Sequence, residues 1–166
     1  MNEPRPPRPL PHRMLLIIGS IGPLGHLPAS GTATVAIVGV PLFWRGAGWR
    51  IETQLAVALA LTVAAMFIHQ MGDRLLGEKD SRKLVWDELV GFWIAVLAVP
   101  FTWQSAVAAF LMERALDIAK VPPAGWIERR WPGAWGVVGD DVVAGLYALA
   151  AMHVLLRLYP TLLGLA

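Results

Sequence analysis

Six acidic residues fall into short groups whose types and spacing favour metal chemistry. Asp87 is adjacent to Glu88, Asp140 is adjacent to Asp141, and the remaining two acids lie close to basic residues. Carboxylates hold Mg²⁺ together with waters and phosphate oxygens, and a bound Mg²⁺ polarises a phosphoryl group and lowers the pKa of an attacking water. The candidate metal ligands are Asp80, Asp87, Glu88, Asp117, Asp140 and Asp141.

Basic and hydroxyl side chains accompany these acids. Arg114, Asp117 and Lys120 are spaced three apart, so they lie on one stripe of a helix. A guanidinium binds phosphate oxygens through two parallel hydrogen bonds, and an ammonium binds them as a point charge. We expect Arg114 and Lys120 to bind a substrate phosphate, and Thr32 either to bind phosphate or to cap a helix. The candidate catalytic residues are Asp87, Glu88 and Asp141.

Each acidic group also has a structural explanation. Asp140 or Asp141 can cap a helix, and Asp117 can form a surface pair with Lys120. Asp87-Glu88 can lie in a first helical turn, where acids suit the macrodipole. These explanations do not account for all the groups meeting at one face of a chain that is poor in charge. A carboxylate at membrane depth costs up to about 2.5–3.5 kcal/mol, so such a cluster needs cations to neutralise it.

The composition is that of a membrane protein. Of the 166 residues 56% are hydrophobic and 16% are charged, and the mean hydropathy is +0.55, whereas soluble domains carry about 25% charged residues. There are 8 tryptophans and 2 tyrosines, and tryptophan is favoured where bilayer meets water. Cysteine is absent from the sequence, which excludes disulfides and cysteine nucleophiles. The formal net charge of +2 argues against nucleic acid as a partner.

Apolar segments bounded by turn residues predict an all-α, multi-pass membrane helical bundle with about five membrane segments. Residues 1–13, rich in proline and arginine, are interpreted as a disordered tail, and residues 14–166 as a single membrane-embedded domain. The apolar run at 33–44 is short, so the first segment is expected to be re-entrant or tilted. Helices are predicted over residues 53–71, 84–99, 103–120 and about 140–158, with a loop over 126–139.

Connectivity places the acids on one face of this bundle. A charged loop joins the helix ending at Met71 to the one starting at Leu84, and the next two helices form a hairpin around Pro100. The loop before Asp140 is too poor in apolar residues to cross, so Asp140 starts at the same face. Eleven of the 14 lysines and arginines share that face, which the positive-inside rule assigns to the cytoplasm. Five crossings then put the N-terminus inside and the C-terminus outside.

Two further features remain open to a structural interpretation. His26, His69 and His153 have no metal-ligand partner at i+4, so each is interpreted as a satisfied or solvated histidine. The stretch 19–31 is rich in glycine and proline. Such a stretch can cradle a phosphate or serve as a flexible turn, and it lacks the Gly-Lys-Ser/Thr of a P-loop.

These motifs, in this order, resemble the phosphatidylglycerophosphatase A family. Members carry a glycine/proline segment ending in Gly-Thr, a run like Val-Trp-Asp-Glu-Phe-Val-Gly, a helix with Arg, Asp and Lys at this spacing, and Gly-x-x-x-Asp-Asp-x-x-Ala-Gly. The corresponding segments here are Ser30–Thr32, Val85–Gly91, Arg114–Lys120 and Gly136–Gly145. Ser30 stands where the family often has proline, Glu113 replaces a usual aromatic residue, and Val121 replaces a usual proline.

The resemblance implies Mg²⁺-dependent hydrolysis of phosphatidylglycerophosphate to phosphatidylglycerol and inorganic phosphate. It also implies a bacterial cytoplasmic membrane location, and the positive-inside rule has the active site facing the cytoplasm. The main alternative is a small transporter or channel that uses the intramembrane acids as an ion site, although it should spread them along a path between the faces. A CDP-alcohol transferase would show a repeated Asp-x-x-x-Asp pattern that the sequence lacks. A soluble all-α protein would have to pack these apolar helices in water. The sequence leaves the oligomeric state open.

Overall fold

A computed structural model describes residues 9–165, and every regular element in this range is helical. The all-α prediction is therefore confirmed. Residues 1–8 of the predicted tail lie outside the described residues, and the first helix begins at Leu10. The α-helices are α1 (Leu10–Gly19), α2 (Ser30–Thr34), α3 (Val40–Gly46), α4 (Ile51–Leu76), α5 (Trp86–Ala95), α6 (Trp103–Ala119), α7 (Ala124–Arg130) and α8 (Ala134–Leu158).

Helix α5 lies at the centre of the bundle because it is apolar on nearly every side. Eight of its ten residues are buried, and it packs against α8, α4 and α6. Gly145 of α8 makes the closest approach possible, since a Cβ there would lie 2.5 Å from the carbonyl oxygen of Gly91. A larger residue would push the two helices apart. This close packing brings the acids of α5 beside those of α8.

Helices α4 and α8 are long and apolar enough to cross a membrane. Helix α4 has 26 residues, so it is about 39 Å long at 1.5 Å per residue. Only 22% of the most apolar stretch of α4, and 28% of that of α8, is buried inside the protein. Along α4 an apolar ridge of Leu55, Leu59, Val63 and Phe67 faces outward at every fourth position. Soluble monomers rarely expose a contiguous apolar surface of this extent, and a lipid-facing helix does so by nature.

Contacts between helices define two ends of the bundle. At the acidic end, the last turns of α4 meet the start of α5, where His69 Nε2 lies 3.2 Å from Asp87 Oδ1. At the opposite end, the start of α4 meets the chain that follows α5, where Ala98 N–H donates to Gln54 Oε1 at 2.8 Å. The loop before α5 and the turn after it therefore lie at different ends, as the connectivity predicted.

The chain before α4 forms one helical run. A π-helical segment, Val35–Gly39, joins α2 to α3 without a break. At the acidic end Ser30 Oγ donates to the carbonyl oxygen of Arg82 at 2.6 Å. At the opposite end Gln54 Nε2 donates to the carbonyl oxygen of Gly46 at 3.2 Å. The run thus passes from one end of the bundle to the other, and it is longer than the predicted 33–44 segment.

Exposed tryptophans gather at both ends of the bundle. Three lie at or between helix ends at the opposite end, and three lie in α7, just after it and at the start of α8 at the acidic end. Such paired belts are typical of the two membrane–water interfaces, where the ring is apolar and its N–H seeks a partner. The first set is Trp44, Trp49 and Trp103, and the second is Trp126, Trp131 and Trp135.

Some predicted helix boundaries are wrong. The predicted loop over 126–139 is largely helical, because arginine and tryptophan do not break a helix. Only residues 131–133, which include Pro132 and Gly133, interrupt it between α7 and α8. Helix α8 therefore begins before Asp140. Helix α5 ends at Ala95 rather than Val99. Its early end is stabilised by Gln54, which accepts the Ala98 N–H that a longer helix would have used internally.

Candidate active site

The six predicted metal ligands line one cavity at the acidic end of the bundle. The cavity has a volume of about 360 Å³. Its acids come from the loop before α5, the first turn of α5, the last turn of α6 and the body of α8. They are Asp80, Asp87, Glu88, Asp117, Asp140 and Asp141. The structure thus brings together every acid that the sequence analysis assigned to the metal.

Three of these acids lie close enough to share one cation. One carboxylate oxygen from each of Asp117, Asp140 and Asp141 lies within 4.8 Å of the other two. Asp140 and Asp141 are buried, so solvent screens their mutual repulsion weakly. Carboxylates packed in this way ionise together only when positive charge lies among them.

Some carboxylate oxygens in this cavity are buried without a hydrogen-bond donor, which bears on whether a hard cation could bind there. Glu88 Oε2 and Asp141 Oδ1 are buried and accept no hydrogen bond from residues 9–165. The guanidinium nearest to Asp141 Oδ1 is that of Arg114, with Nη2 at 3.7 Å. A buried carboxylate oxygen without a partner is costly. An oxygen-seeking divalent cation such as Mg²⁺ would satisfy these atoms, so the residues fit the metal.

The structure removes two of the three structural explanations that the sequence left open for the acids. Helix α8 begins at Ala134, so Asp140 and Asp141 lie beyond its first turn and cannot cap it. Lys120 follows the last residue of α6 in a left-handed conformation and binds Asp140 and Glu128 rather than Asp117. Asp87 and Glu88 do lie in the first turn of α5. That position suits the macrodipole and also aims both carboxylates into the cavity.

Lys120 neutralises part of the cavity's charge. Its ammonium forms a hydrogen-bonded ion pair with Asp140 and lies 3.2 Å from Glu128 Oε1. Burial disfavours protonation of the ammonium, but the hydrogen bond and charge of Asp140 outweigh burial and raise the pKa of Lys120. Lys120 therefore stays charged at physiological pH. Its predicted role toward a substrate phosphate stays a prediction.

Arg114 is held by acids of the chain itself. Its Nε and Nη2 atoms each lie 2.7 Å from an oxygen of Glu113, in a bidentate pair. Its Nη1 lies 3.4 Å from Asp117 Oδ2. The pairing fixes the plane of the guanidinium and directs its remaining donors toward Asp117 and Asp141. Arg114 thus stabilises the acid cluster, and its predicted contact with a substrate phosphate stays a prediction.

Sequence reasoning missed the part played by Glu113. It is fully buried, and its pair with Arg114 compensates a charge that would otherwise be isolated. Glu113 was noted only as a departure from the family's usual aromatic residue. The adjacent arginine was the available signal, because an acid beside a buried arginine in an apolar helix needs a partner of opposite charge.

His69 is not a solvated histidine, and its neighbour is an acid of the cavity. His69 is fully buried in α4, and its Nε2 lies 3.2 Å from Asp87 Oδ1. The two atoms are close, but neither makes a hydrogen bond of good geometry within the described part of the chain. The partner lies on another helix, so a search for i+4 spacing could not find it. His153 Nε2, in contrast, lies 2.9 Å from the carbonyl oxygen of Leu97, as expected of a satisfied histidine.

Thr32 lies away from the acidic cavity. It is an interior residue of α2, whose N-cap is Ala29, so the predicted capping role is wrong. The helix starts earlier than expected because Ser30 is anchored to the Arg82 carbonyl oxygen. Thr32 lines a neighbouring cavity together with Glu88 and Arg114.

Long helices with exposed apolar faces and an acidic cavity at one end define the class of this protein: a helical membrane protein with a candidate metal site. The model of the phosphatidylglycerophosphatase A family matches residues 17–156. The chain therefore belongs to the phosphatidylglycerophosphatase A family, and the resemblance noted in its motifs is confirmed.

Three bacterial proteins illustrate how close the relatives are. Phosphatidylglycerophosphatase A of Escherichia coli is 33% identical over 106 residues, covering 63% of this chain and 60% of the relative. The Haemophilus influenzae protein of the same name is 37% identical over 75 residues, covering 45% and 46%. A Bacteroides thetaiotaomicron protein, provisionally named a phosphatidylinositol-3-phosphatase, is 36% identical over 106 residues, covering 61% and 65%. The match thus spans less than two thirds of each relative. No solved structure matches this chain.

Proposed function

We propose that this protein is a Mg²⁺-dependent phosphoric monoester hydrolase that converts phosphatidylglycerophosphate to phosphatidylglycerol and inorganic phosphate. The observation that carries the proposal is the single cavity lined by six acids in a chain of this family. The cavity lies at one end of a bundle with lipid-facing sides. A headgroup phosphate at the membrane surface is the group that such a cavity can reach.

The acids have two proposed roles. Asp117, Asp140 and Asp141 would hold the cation, since their oxygens already lie within 4.8 Å of one another. When bound, Mg²⁺ polarises the phosphoryl group and lowers the pKa of an attacking water. Asp87 and Glu88 face the same cavity from α5 and are, with Asp141, the candidate general bases. Hydrolysis of phosphate monoesters is among the slowest uncatalysed reactions, so a preorganised charged site is favoured over a lone acid–base pair.

The distribution of acids disfavours the transporter or channel alternative. An ion path needs polar or acidic groups between the two ends of the bundle. Among residues 9–165, Glu52 is the acid at the opposite end, and it is exposed and paired with Arg50. The acids that line a cavity are confined to the acidic end. This arrangement favours chemistry at one face over transport between faces.

Release of inorganic phosphate tests the proposed function. The purified protein, in mixed micelles containing phosphatidylglycerophosphate and Mg²⁺, is expected to release phosphate and to leave phosphatidylglycerol as the lipid product. An identically purified Asp141→Asn variant gives the background from contaminating phosphatases. A wild-type rate no higher than that background would contradict the proposal.

We also infer five membrane crossings in the bacterial cytoplasmic membrane, with the acidic end in the cytoplasm. Two helices, α4 and α8, are long and apolar enough to cross, and residues 30–46, α5 and α6 would supply the other three crossings. The 11 lysines and arginines assigned to the acidic face, against three elsewhere, support the orientation. A reporter fused after Ala166 is expected outside, and one inserted near Arg82 is expected in the cytoplasm. Both reporters on the same side would contradict the count.

A further inference from the structure

A second cavity adjoins the acidic one and carries the opposite charge. It has a volume of about 490 Å³. Four residues line both cavities, which therefore form one continuous depression: Ser30, Arg82, Glu88 and Ile118. The charged lining of the second cavity is Arg82, Lys83, Arg114 and a single acid, Glu88, with His26 beside them. We call it the basic cavity.

The glycine- and proline-rich stretch 19–31 builds one wall of the basic cavity. Gly25 lies so close to the chain opposite that a Cβ would be 2.1 Å from the carbonyl oxygen of Lys83. Ser30 Oγ donates to the carbonyl oxygen of Arg82 at 2.6 Å. These contacts hold the backbone of Arg82 and Lys83 against the stretch 19–31, while both residues remain exposed to solvent. This gives the stretch a role that its composition left open.

Arg82 and Lys83 are available to an external anion. Arg114 is already held by Glu113 and Asp117, so it offers the basic cavity little free charge. Within residues 9–165, neither Arg82 nor Lys83 forms an ion pair with an acid of the chain. Two cations with fixed backbones and free side chains, at the mouth of a cavity, are suited to bind a phosphate group.

We propose that the basic cavity binds the phosphodiester of the lipid headgroup while the phosphomonoester lies in the acidic cavity. This inference rests on the proposed function, because phosphatidylglycerophosphate carries both groups on one glycerol. The proposed reaction leaves the diester intact, so its binding needs positive charge but no metal. The monoester needs the metal that the acids would hold. Arg82 lines both cavities and so lies between the two phosphates. The enzyme would thus select lipids with two phosphates in the headgroup.

Charge removal at the basic cavity tests this assignment. In the double variant Arg82→Gln/Lys83→Gln, the KM for phosphatidylglycerophosphate in mixed micelles is expected to rise about tenfold or more, the effect of losing one or two charge-assisted hydrogen bonds. The value of kcat should change far less, because the acids are untouched. The charge-preserving variant Arg82→Lys/Lys83→Arg should recover most of the affinity, which a folding defect would not allow.

A matched control separates a binding site from general attraction to an anionic surface. Arg129→Gln/Arg130→Gln removes two exposed cations of α7, which lies beside the start of α8. These two residues line neither cavity. The KM of this control variant should stay within about twofold of the wild-type value, because the removed charges lie outside both cavities. An equal rise in KM for both double variants, or no rise in the Arg82/Lys83 variant, would overturn the proposal.

A binding measurement keeps the inference separate from the proposed function. Glycerophosphoglycerol, a soluble diester without a phosphomonoester, is titrated by calorimetry into the Mg²⁺-free protein. Wild type and the Arg129/Arg130 variant should bind it, and the Arg82/Lys83 variant should bind at least about tenfold more weakly. If the wild-type protein binds glycerophosphoglycerol but has no phosphatase activity, the proposed function is contradicted and the diester site is not. Equal binding by all three proteins, or displacement by inorganic phosphate at equal affinity, would overturn the diester site.

Discussion

Removal of divalent cations is expected to abolish the phosphatase activity, and Mg²⁺ is expected to restore it. The reason is geometric: oxygens of Asp117, Asp140 and Asp141 lie within 4.8 Å of one another, and two of these residues are buried. Their mutual repulsion is relieved only by positive charge, of which Lys120 supplies a part through Asp140. The measurement is phosphate release after exhaustive chelation and dialysis, followed by titration with Mg²⁺.

Thermal unfolding gives a second test of the metal that does not depend on turnover. A cation that binds only the folded protein stabilises it in proportion to the logarithm of its concentration. The wild-type Tm should therefore rise with added Mg²⁺. The rise should be largely lost in Asp141→Asn and retained in Glu52→Gln, a change at an exposed acid of the opposite end. Full activity after exhaustive chelation, together with a Tm that does not change when Mg²⁺ is added, would exclude the metal site.

The convergence of the acids could be predicted because it depends on connectivity. Short loops and apolar helix lengths decide which helix ends share a face, and both are readable from the sequence. Asp87 and Asp140, 53 positions apart in the sequence, accordingly line the same cavity. The prediction required no knowledge of how any helix is rotated about its axis.

Pairings within the site could not be predicted, because they depend on helix rotation. His69 meets Asp87 across the α4–α5 contact, and no sequence spacing encodes a contact between two helices. The sequence showed Arg114 three residues before Asp117, but not that Glu113 holds its guanidinium in a bidentate pair. The sequence therefore predicted a phosphate contact for Arg114, whereas the structure places its guanidinium among the acids.

The predicted helix boundaries are wrong where contacts between helices, rather than proline or glycine in the sequence, decide where a helix ends. Pro100 predicted the end of α5, yet the helix ends at Ala95 because Gln54 accepts the N–H of Ala98. The arginine- and tryptophan-rich stretch 126–139 predicts a loop, although it contains most of α7 and the start of α8. Those residues have adequate helix propensity. Their exposure at the acidic end reflects an interfacial location rather than irregular structure.

Single amide substitutions at Asp87, Glu88 and Asp141 should each lower phosphatase activity by at least about a hundredfold, the low end for loss of a general base. An amide keeps the size of the carboxyl group and still accepts a hydrogen bond. A helix cap or packing role should therefore survive the change with a loss of about 1 kcal/mol or less. A metal ligand or base should not survive, because the negative charge holds Mg²⁺ or takes the proton.

The controls for these variants come from the same chain. Glu52→Gln makes the same chemical change at an exposed acid and should leave activity intact. His153 lies on the same helix as Asp141 but several turns away, and its Nε2 lies 2.9 Å from the Leu97 carbonyl oxygen. The His153→Gln variant should therefore also be nearly fully active. All variants are expected to insert and purify normally, and phosphate release is measured at saturating Mg²⁺. Active amide variants together with an inactive His153 variant would place the reaction outside the acidic cavity.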